Sequence, residues 1–277
     1  MTVLIVGGSG FMGAELVRRA VSGGREVVAT FATAPGDGPA ALWRALDLRG
    51  ASGIEVLMAE VKPQVVVNAT SGGSDWGVTA EGPVRLALAA ERHRVRLVHV
   101  SSDAVFSGAR VHYDESSLPD PLTPYGAAKA AAETGVRLVH PGAVVARTSL
   151  IIGDGRSEHV RAVHELVAGS RSGALFTDDI RCPVHVGDLA AALLELAAND
   201  ETGLRHLAGT DAVSRHELGT LVARRDGLDP RRIPTGLRAD TALPGPLDVR
   251  LDSRATQGRL RTRLRGAREF LAGPLGG

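Results

Sequence analysis

Apolar residues fall along this chain in two rhythms, and the alternation between them predicts a fold. The short runs "TVLIVGG", "EVVAT", "QVVVNAT", "VRLVHVSS" and "AVVARTSL" read as strands. Their apolar positions are not separated by a regular polar alternation, as expected of parallel strands covered on both faces. Between them, over Phe11–Ser22, Gly53–Val61, Thr79–His93 and Pro124–His140, apolar positions recur at the three-to-four-residue spacing of amphipathic helices. A further strand is expected near "WRALDL". Such strand–helix alternation predicts an α/β fold with a doubly wound parallel sheet. The rhythm loosens after about Asp154, where "HVRAVHELVAG", "DLAAALLELAA" and "SRHELGTLVARR" read as helices and "LPGPLDVRLD" as an extended segment. Residues 1–153 are therefore expected to form one domain, and 154–277 a smaller, mostly helical lobe. A last helix is expected from about Ser253, with Leu260, Leu264 and Leu271 on one side. Seven arginines lie between Arg250 and Arg268, read as a solvated face, with an anion-binding rim as the alternative. No period of 20–50 residues repeats, which excludes a solenoid.

Composition changes this picture by removing partners. The chain has 277 residues, 44% of them hydrophobic and 23% charged, as in an ordinary globular domain. A net charge of +1 offers no general attraction to nucleic acid or membrane. The lone Cys182 excludes an intrachain disulfide and reads as a small buried side chain. The first strand follows Met1-Thr2 with no basic leader, and no apolar run approaches the ~18 residues of a membrane span. A cytoplasmic protein acting on a small molecule is the expectation, with a homodimer left open. His159 and His164 are five residues apart, not the four of a helical zinc pair, so both read as surface residues and no metal site is expected.

Chemistry enters at "GGSGFMG", between the first strand and the first helix. Gly8, Gly10 and Gly13 fit G-x-G-x-x-G, and Gly7, Gly10 and Gly13 fit the wider G-x-x-G-x-x-G. Bare backbone there permits a tight turn, close approach of a pyrophosphate, and a helix N-terminus aimed at it. This is the context of a dinucleotide site in a Rossmann-type fold, with Gly7, Gly10, Phe11, Met12 and Gly13 against the cofactor. NAD binders place an acid about 20 residues on. Here the second strand ends "VVATFATA" and no acid appears before Asp37, so NADPH is expected, with NADH the alternative. Thr30 and Thr33 leave room for a 2′-phosphate, Asp47 is placed to accept the adenine amino group, and Leu48 to line the same end.

A second constellation follows. The chain holds two tyrosines and two lysines against thirty arginines, yet "PYGAAKA" sets Tyr125 and Lys129 one helical turn apart. A phenol is a weak acid at neutral pH, and an adjacent ammonium is expected to lower its pKa. Upstream, "VRLVHV" runs into "SSDAVF" and delivers Ser101, Ser102 and Asp103 to the carboxyl edge of the sheet, where open α/β folds bind ligands. One of the two hydroxyls can donate to a substrate carbonyl while Tyr125 supplies the proton. Arg181 and His185 flank Cys182 near the expected cleft, and Arg181 could hold a substrate phosphate, with an ordinary solvated arginine as the plain reading.

Together "GGSGFMG", "NATSGG", "SSDAVFSG", "YDE", "PLTPYGAAKAAAE" and "VARTSLIIG" resemble the extended short-chain dehydrogenase/reductase family, in its sugar-nucleotide branch typified by dTDP-4-dehydrorhamnose reductase. The resemblance implies Tyr125 as proton donor, Lys129 as its partner, Ser102 as the carbonyl hydrogen-bonder with Ser101 the alternative, Asn68, Ala69 and Thr70 along the cofactor, and Arg147 and Thr148 at the nicotinamide end. It implies hydride transfer from NADPH to a ketone, such as a nucleotide-linked 4-keto-6-deoxysugar. An epimerase retaining NAD and a non-catalytic cofactor-binding regulatory subunit are the alternatives. Four departures bear on the sugar pocket: Ala104 where a tyrosine is usual, "TSGGSDWG" in place of an alanine-rich turn, Thr79 in place of asparagine, and Leu150 after the Arg-Thr-Ser triplet.

Overall fold

The computed structural model describes residues 1–37 and 42–273. In chain order the first half forms β1 (Thr2–Val6), α1 (Phe11–Ser22), β2 (Glu26–Phe31), β3 (Leu42–Ala45), α2 (Ala51–Val61), β4 (Val65–Asn68), α3 (Gly82–Arg92), β5 (Arg96–Ser102), β6 (His112–Tyr113), α4 (Pro124–Val139), β7 (Val144–Thr148) and β8 (Ile151–Ile152). The second half adds α5 (Glu158–Ala168), β9 (Leu175–Phe176), β10 (Ile180–Arg181), β11 (Val184–His185), α6 (Val186–Ala198), β12 (Gly203–Leu207), β13 (Val213–Ser214), α7 (Arg215–Arg225), β14 (Thr235–Gly236), β15 (Arg250–Leu251), α8 (Arg254–Gln257) and α9 (Ala267–Phe270).

Seven strands pair in the order β12-β7-β5-β4-β1-β2-β3, all parallel, which is the predicted doubly wound sheet. Each strand interior is apolar on both sides because each side meets helices. Val3, Ile5, Val67, Val98 and Val144 pack under α1 and α6, with Leu16 and Leu193 among their partners. Leu4, Val6, Val66, Leu97 and Val145 face α2, α3 and α4 through Ile54, Leu86 and Val136. A separate cluster joins α5 to α7 through Val160, Val163, Leu218 and Val222.

Three details differ from expectation. The chain re-enters the sheet late: β12 is the seventh strand, paired with β7, and α6 shares the core of α1. The helix expected from Thr79 is preceded by a π-helical turn, Gly77–Glu81. Pro83 has no N–H to close an ordinary turn onto Thr79, and the backbone widens there. The last helix is absent as such: only the single turns α8 and α9 form, and residues 258–266 between them are irregular. The leucines that read as one helical face serve two cores, Leu260 and Leu264 packing beneath the sheet and Leu271 in the α5–α7 cluster. Six of the seven arginines there are neutralised by carboxylates, including Arg250 by Asp248, Arg259 by Glu201 and Arg265 by Asp188, so they form an ion-paired surface and not an anion-binding rim. Among the described residues no helix is long and apolar enough to cross a membrane, and no cluster of metal-ligating side chains occurs.

Candidate active site

The turn between β1 and α1 has a shape that only glycine allows. Gly7 sits at φ +82°, and a Cβ on Gly13 would stand 2.0 Å from the Gly7 carbonyl oxygen. Gly10 opens α1 without a side-chain cap, so the N–H groups of the first turn remain available to an anion. These features fit a dinucleotide pyrophosphate.

Around this loop the expected contacts sort themselves. Thr30 is buried, and its hydroxyl accepts from Gly7 N at 3.0 Å, so it braces the loop instead of facing a 2′-phosphate. Met12 and Leu48 direct their side chains into the two sheet cores, which leaves only their backbones for a cofactor. A Cβ on Gly153 would touch the Phe11 ring, which places that ring against the start of the second half. Asp47 is held by Arg49, and Arg49 also reaches Asp75 at 2.5 Å. Asn68 is fully buried and shapes the turn after β4: its Oδ1 accepts from Thr70 N at 3.2 Å and from Thr70 Oγ1 at 2.7 Å. Beside Ser9 and Thr33 lies a groove of about 590 Å³, also lined by Arg18, Arg156 and Asp37. Basic side chains therefore reach the end of β2 from α1 and from the segment after β8.

The second constellation is assembled by α4. Thr123 Oγ1 accepts from Gly126 N and Pro124 opens the helix, fixing its start beside the turn Asp103–Val105. A Cβ on Gly126 would lie 2.1 Å from the Ala104 carbonyl oxygen, so glycine is what permits that approach. The approach brings Tyr125 toward Ser102 and toward Ser71, a residue the motifs did not single out, and both hydroxyls act to lower the pKa of the phenol. Burial raises the Tyr125 pKa above its ordinary value, outweighing both hydroxyls. This reverses the expected lowering, because Lys129 points elsewhere: its buried Nζ donates to Val100 O at 3.0 Å and to Thr70 O at 3.3 Å. Burial pulls the Lys129 ammonium down to about 8, against the opposing charge of Glu133.

The structure also separates the two adjacent serines. Ser101 is buried and donates to Glu133 Oε1 at 2.6 Å. Ser102 points the other way, accepting from Ala104 N and donating to Asp103 Oδ1. Asp103 is buried as well, with Ser149 Oγ on its other oxygen at 2.7 Å, and it holds Ser102 in place.

Several expected roles move outward from the reacting centre. Arg147 is fully buried, paired with Glu133 at 2.8 Å and set 4.9 Å over the Phe106 ring, so it ties β7 to α4 and does not line the nicotinamide end. Thr148 spends its hydroxyl on Leu207 O. Arg181 donates to the carbonyls of Ile180, Leu247 and Pro246 and pairs with Asp179 at 2.9 Å, so it has no free fork for a phosphate. His185 accepts from Gly187 N and caps α6, its ring 5.4 Å from Phe270. His164 is a surface residue paired with Asp226, but His159 is half-buried beside Arg215, and burial pushes its pKa down to about 3. The Cys182 thiol is buried and pushed up to about 12, a packing group with no nucleophilic character. It lines a cavity of about 810 Å³ with Tyr113, Ala208 and Gln257, which borders none of Ser102, Tyr125 and Lys129.

Comparison with known proteins accords with this arrangement. A family model described as RmlD substrate binding domain matches residues 1–273. A dTDP-4-dehydrorhamnose reductase of Mycobacterium tuberculosis is 30% identical over 88% of this chain and 82% of its own. A solved structure described as a hypothetical dTDP-4-dehydrorhamnose reductase from Sulfolobus tokodaii superposes with a TM-score of 0.82 at 26% identity, covering 96% of this chain and 97% of that one. A dTDP-4-dehydrorhamnose reductase from Bacillus anthracis, solved in complex with NADP, gives 0.84 at 21% identity over 98% and 96%.

Proposed function

The chain belongs to the RmlD substrate binding domain family, and from that premise we propose that it is an NADPH-dependent ketoreductase of a nucleotide-linked sugar. The proposed substrate is a 4-keto-6-deoxysugar, with Tyr125 as the proton donor. The observation that carries this reading is the seating of α4, where the Gly126 approach to the Ala104 carbonyl sets Tyr125 beside the turn after Ser102, one helical turn from Lys129. A neutral phenol is an acid ready to give its proton, which is what reduction of a ketone requires. An epimerase that withdraws a proton through the same group would be served by a lowered pKa instead. Names among the relatives support a reductase, and the neighbour solved with NADP supports the cofactor.

In this mechanism the glycine loop and the Asn68–Thr70 turn would hold NADPH, whose chemistry when bound would be to supply the hydride. Ser102 turns its single O–H from Asp103 to the carbonyl oxygen when the ketone binds, its own oxygen still held by the Ala104 N–H. Tyr125 gives its proton to the same oxygen as charge develops there. Lys129 keeps a compact positive charge on the Thr70 and Val100 carbonyls, from which it would reach a ribose hydroxyl of the bound cofactor. The segments after Asp154 would supply the sugar-facing wall.

Fluorescence titration with NADPH and NADH, followed by turnover of a dTDP-linked 4-keto-6-deoxysugar, tests the reading. Tyr125→Phe should lower turnover by at least about a hundredfold while NADPH affinity holds. A Tyr125→Phe protein that turns over normally, or a wild-type protein that purifies with tightly held NAD and reduces nothing, overturns it.

A further inference from the structure

We propose that His99 is a positioning residue: as a neutral imidazole it fixes the amide of Asn68, and through Asn68 and Thr70 it holds the cofactor turn and Lys129 in place. The proposal rests on the cofactor and Lys129 roles given above and adds a residue to them.

The placement begins in the sheet. β4 and β5 are parallel neighbours, and their register sets Asn68 opposite His99. Alternation along β5 puts His99 on the same face as Leu97 and Ser101, the face that meets α4. Both side chains are fully buried there, where an unpaired polar group is costly. Asn68 Nδ2 and His99 Nδ1 lie 3.2 Å apart.

The proton positions on this pair follow from its neighbours. Thr70 N can only donate, and it reaches Asn68 Oδ1 at 3.2 Å, with Thr70 Oγ1 on the same oxygen at 2.7 Å. The amide oxygen is therefore turned toward Thr70 and the NH2 group toward His99. An amide nitrogen donates, so His99 Nδ1 must accept, and the ring carries its proton on Nε2. Nε2 has no partner among the described residues, a cost that a leucine at this position would not bear. The imidazole is thus explained by its contact with Asn68 and not by stability alone. A protonated ring would set a donor against the amide NH2, and Asn68 would have to turn its oxygen away from Thr70. Burial, with the Lys129 charge adding to it, pushes the His99 pKa well below its usual value and keeps the ring neutral.

From Thr70 the contacts reach the site. Its carbonyl accepts from Lys129 Nζ at 3.3 Å. The other acceptor of that ammonium, Val100 O at 3.0 Å, belongs to the residue that follows His99. His99 therefore stands beside both supports of Lys129, one through its side chain and one through the strand.

The chain contains two lysines, Lys62 and Lys129, so the Cε resonances of labelled lysine report Lys129 with an internal control. His99→Leu should shift the Lys129 resonance, leave that of Lys62 in place, and weaken NADPH about tenfold, the worth of one hydrogen bond. His99→Asn, whose Oδ1 can accept where Nδ1 does, should restore both readouts. Because the effect is carried by Asn68, His99→Leu in an Asn68→Ala background should move neither readout further. In the wild type, long-range proton–nitrogen spectra assigned through His99→Asn should show Nε2 protonated. They should show no titration of this ring between pH about 5 and 8, where an ordinary imidazole titrates. A proton on Nδ1, an unmoved Lys129 resonance, additive effects at the two positions, or an Asn variant that behaves like the Leu variant overturns the proposal. The tautomer and the lysine resonance need no turnover, so a protein that shows both as expected and reduces no ketone upholds the positioning role and sinks the reductase reading instead.

Discussion

Lys129 is buried as an ammonium on two carbonyl oxygens, and that placement has a measurable signature. Its folded pKa is about 8 against an unfolded value near 10.5. The folded state therefore gives up this proton first, and between those two values the unfolded chain binds more protons. Stability must rise with pH across that window, while below pH 8 the cost of burying the charge is present in full. A shift of this size corresponds to an energy on the order of 3 kcal/mol. In denaturant titrations from pH 7 to 10, wild type should gain stability relative to Lys129→Met, and parallel curves would refute the assignment. Because kcat/KM reports the free enzyme, its profile for reduction should fall above pH about 8 as the ammonium is lost. The Tyr-x-x-x-Lys spacing was legible in the sequence because it is local to one helix. Two things at this scale were not. Ser101 and Ser102 are adjacent on a strand, so one must point inward and the other outward, and only the position of Glu133 shows which. The direction of the Tyr125 shift depends on how deeply the phenol is buried against how far away Lys129 points, and spacing along a chain contains neither.

At the level of elements, α4 is the part on which the site is built. Its start is written in consecutive residues: Thr123 caps, Pro124 opens the first turn, and Gly126 lets the helix approach the Ala104 carbonyl. Its middle is fixed by the buried pair Glu133–Arg147, whose carboxylate also accepts from Ser101. The consequence is a helix fixed at its start and its middle, which sets where Tyr125 lies relative to the end of β5. Gly126→Ala should force α4 away from that carbonyl, costing about 1–3 kcal/mol of stability by overpacking. It should lower kcat more than it weakens NADPH, since the glycine loop lies elsewhere. Melting temperature and a KM-against-kcat comparison check this, and an Ala variant of wild-type stability and rate would refute it. The same local logic explains where reading the sequence failed. Leu260, Leu264 and Leu271 have helical spacing, but Gly258 and Gly266 interrupt the segment and the leucines are claimed by two different cores. Periodicity registers that a residue is buried and not in which core.

Taken whole, the molecule brings residues from both halves of the chain to the groove beside the glycine loop. β2 ends without a basic residue, yet the groove beside Ser9 and Thr33 receives Arg18 from α1 and Arg156 from the segment after β8. Each guanidinium has a carboxylate of its own, Glu15 for Arg18 at 2.6 Å and Asp154 for Arg156 at 3.3 Å, but both side chains remain more than half exposed. Their donors can turn to a phosphate without leaving a buried charge behind, and Glu15 would keep Arg19 at 2.6 Å if Arg18 were removed. Asp37 is the acid that lines the same groove. Turned from their carboxylates, the two guanidiniums offer an extra phosphate charge-assisted donors that a free ribose hydroxyl does not need. A charge-assisted hydrogen bond to phosphate is worth about 1.5–3 kcal/mol, which is about ten- to a hundredfold in affinity. The double variant Arg18→Ala/Arg156→Ala should therefore lose about that much NADPH affinity, and its NADH affinity should stay where it was. Side-by-side titration measures both constants on one preparation. Equal losses for the two cofactors would mean that the arginines support the loop and not the phosphate. A protein that prefers NADH from the outset would move the 2′-hydroxyl onto Asp37 and the whole reading toward the NAD-retaining enzymes.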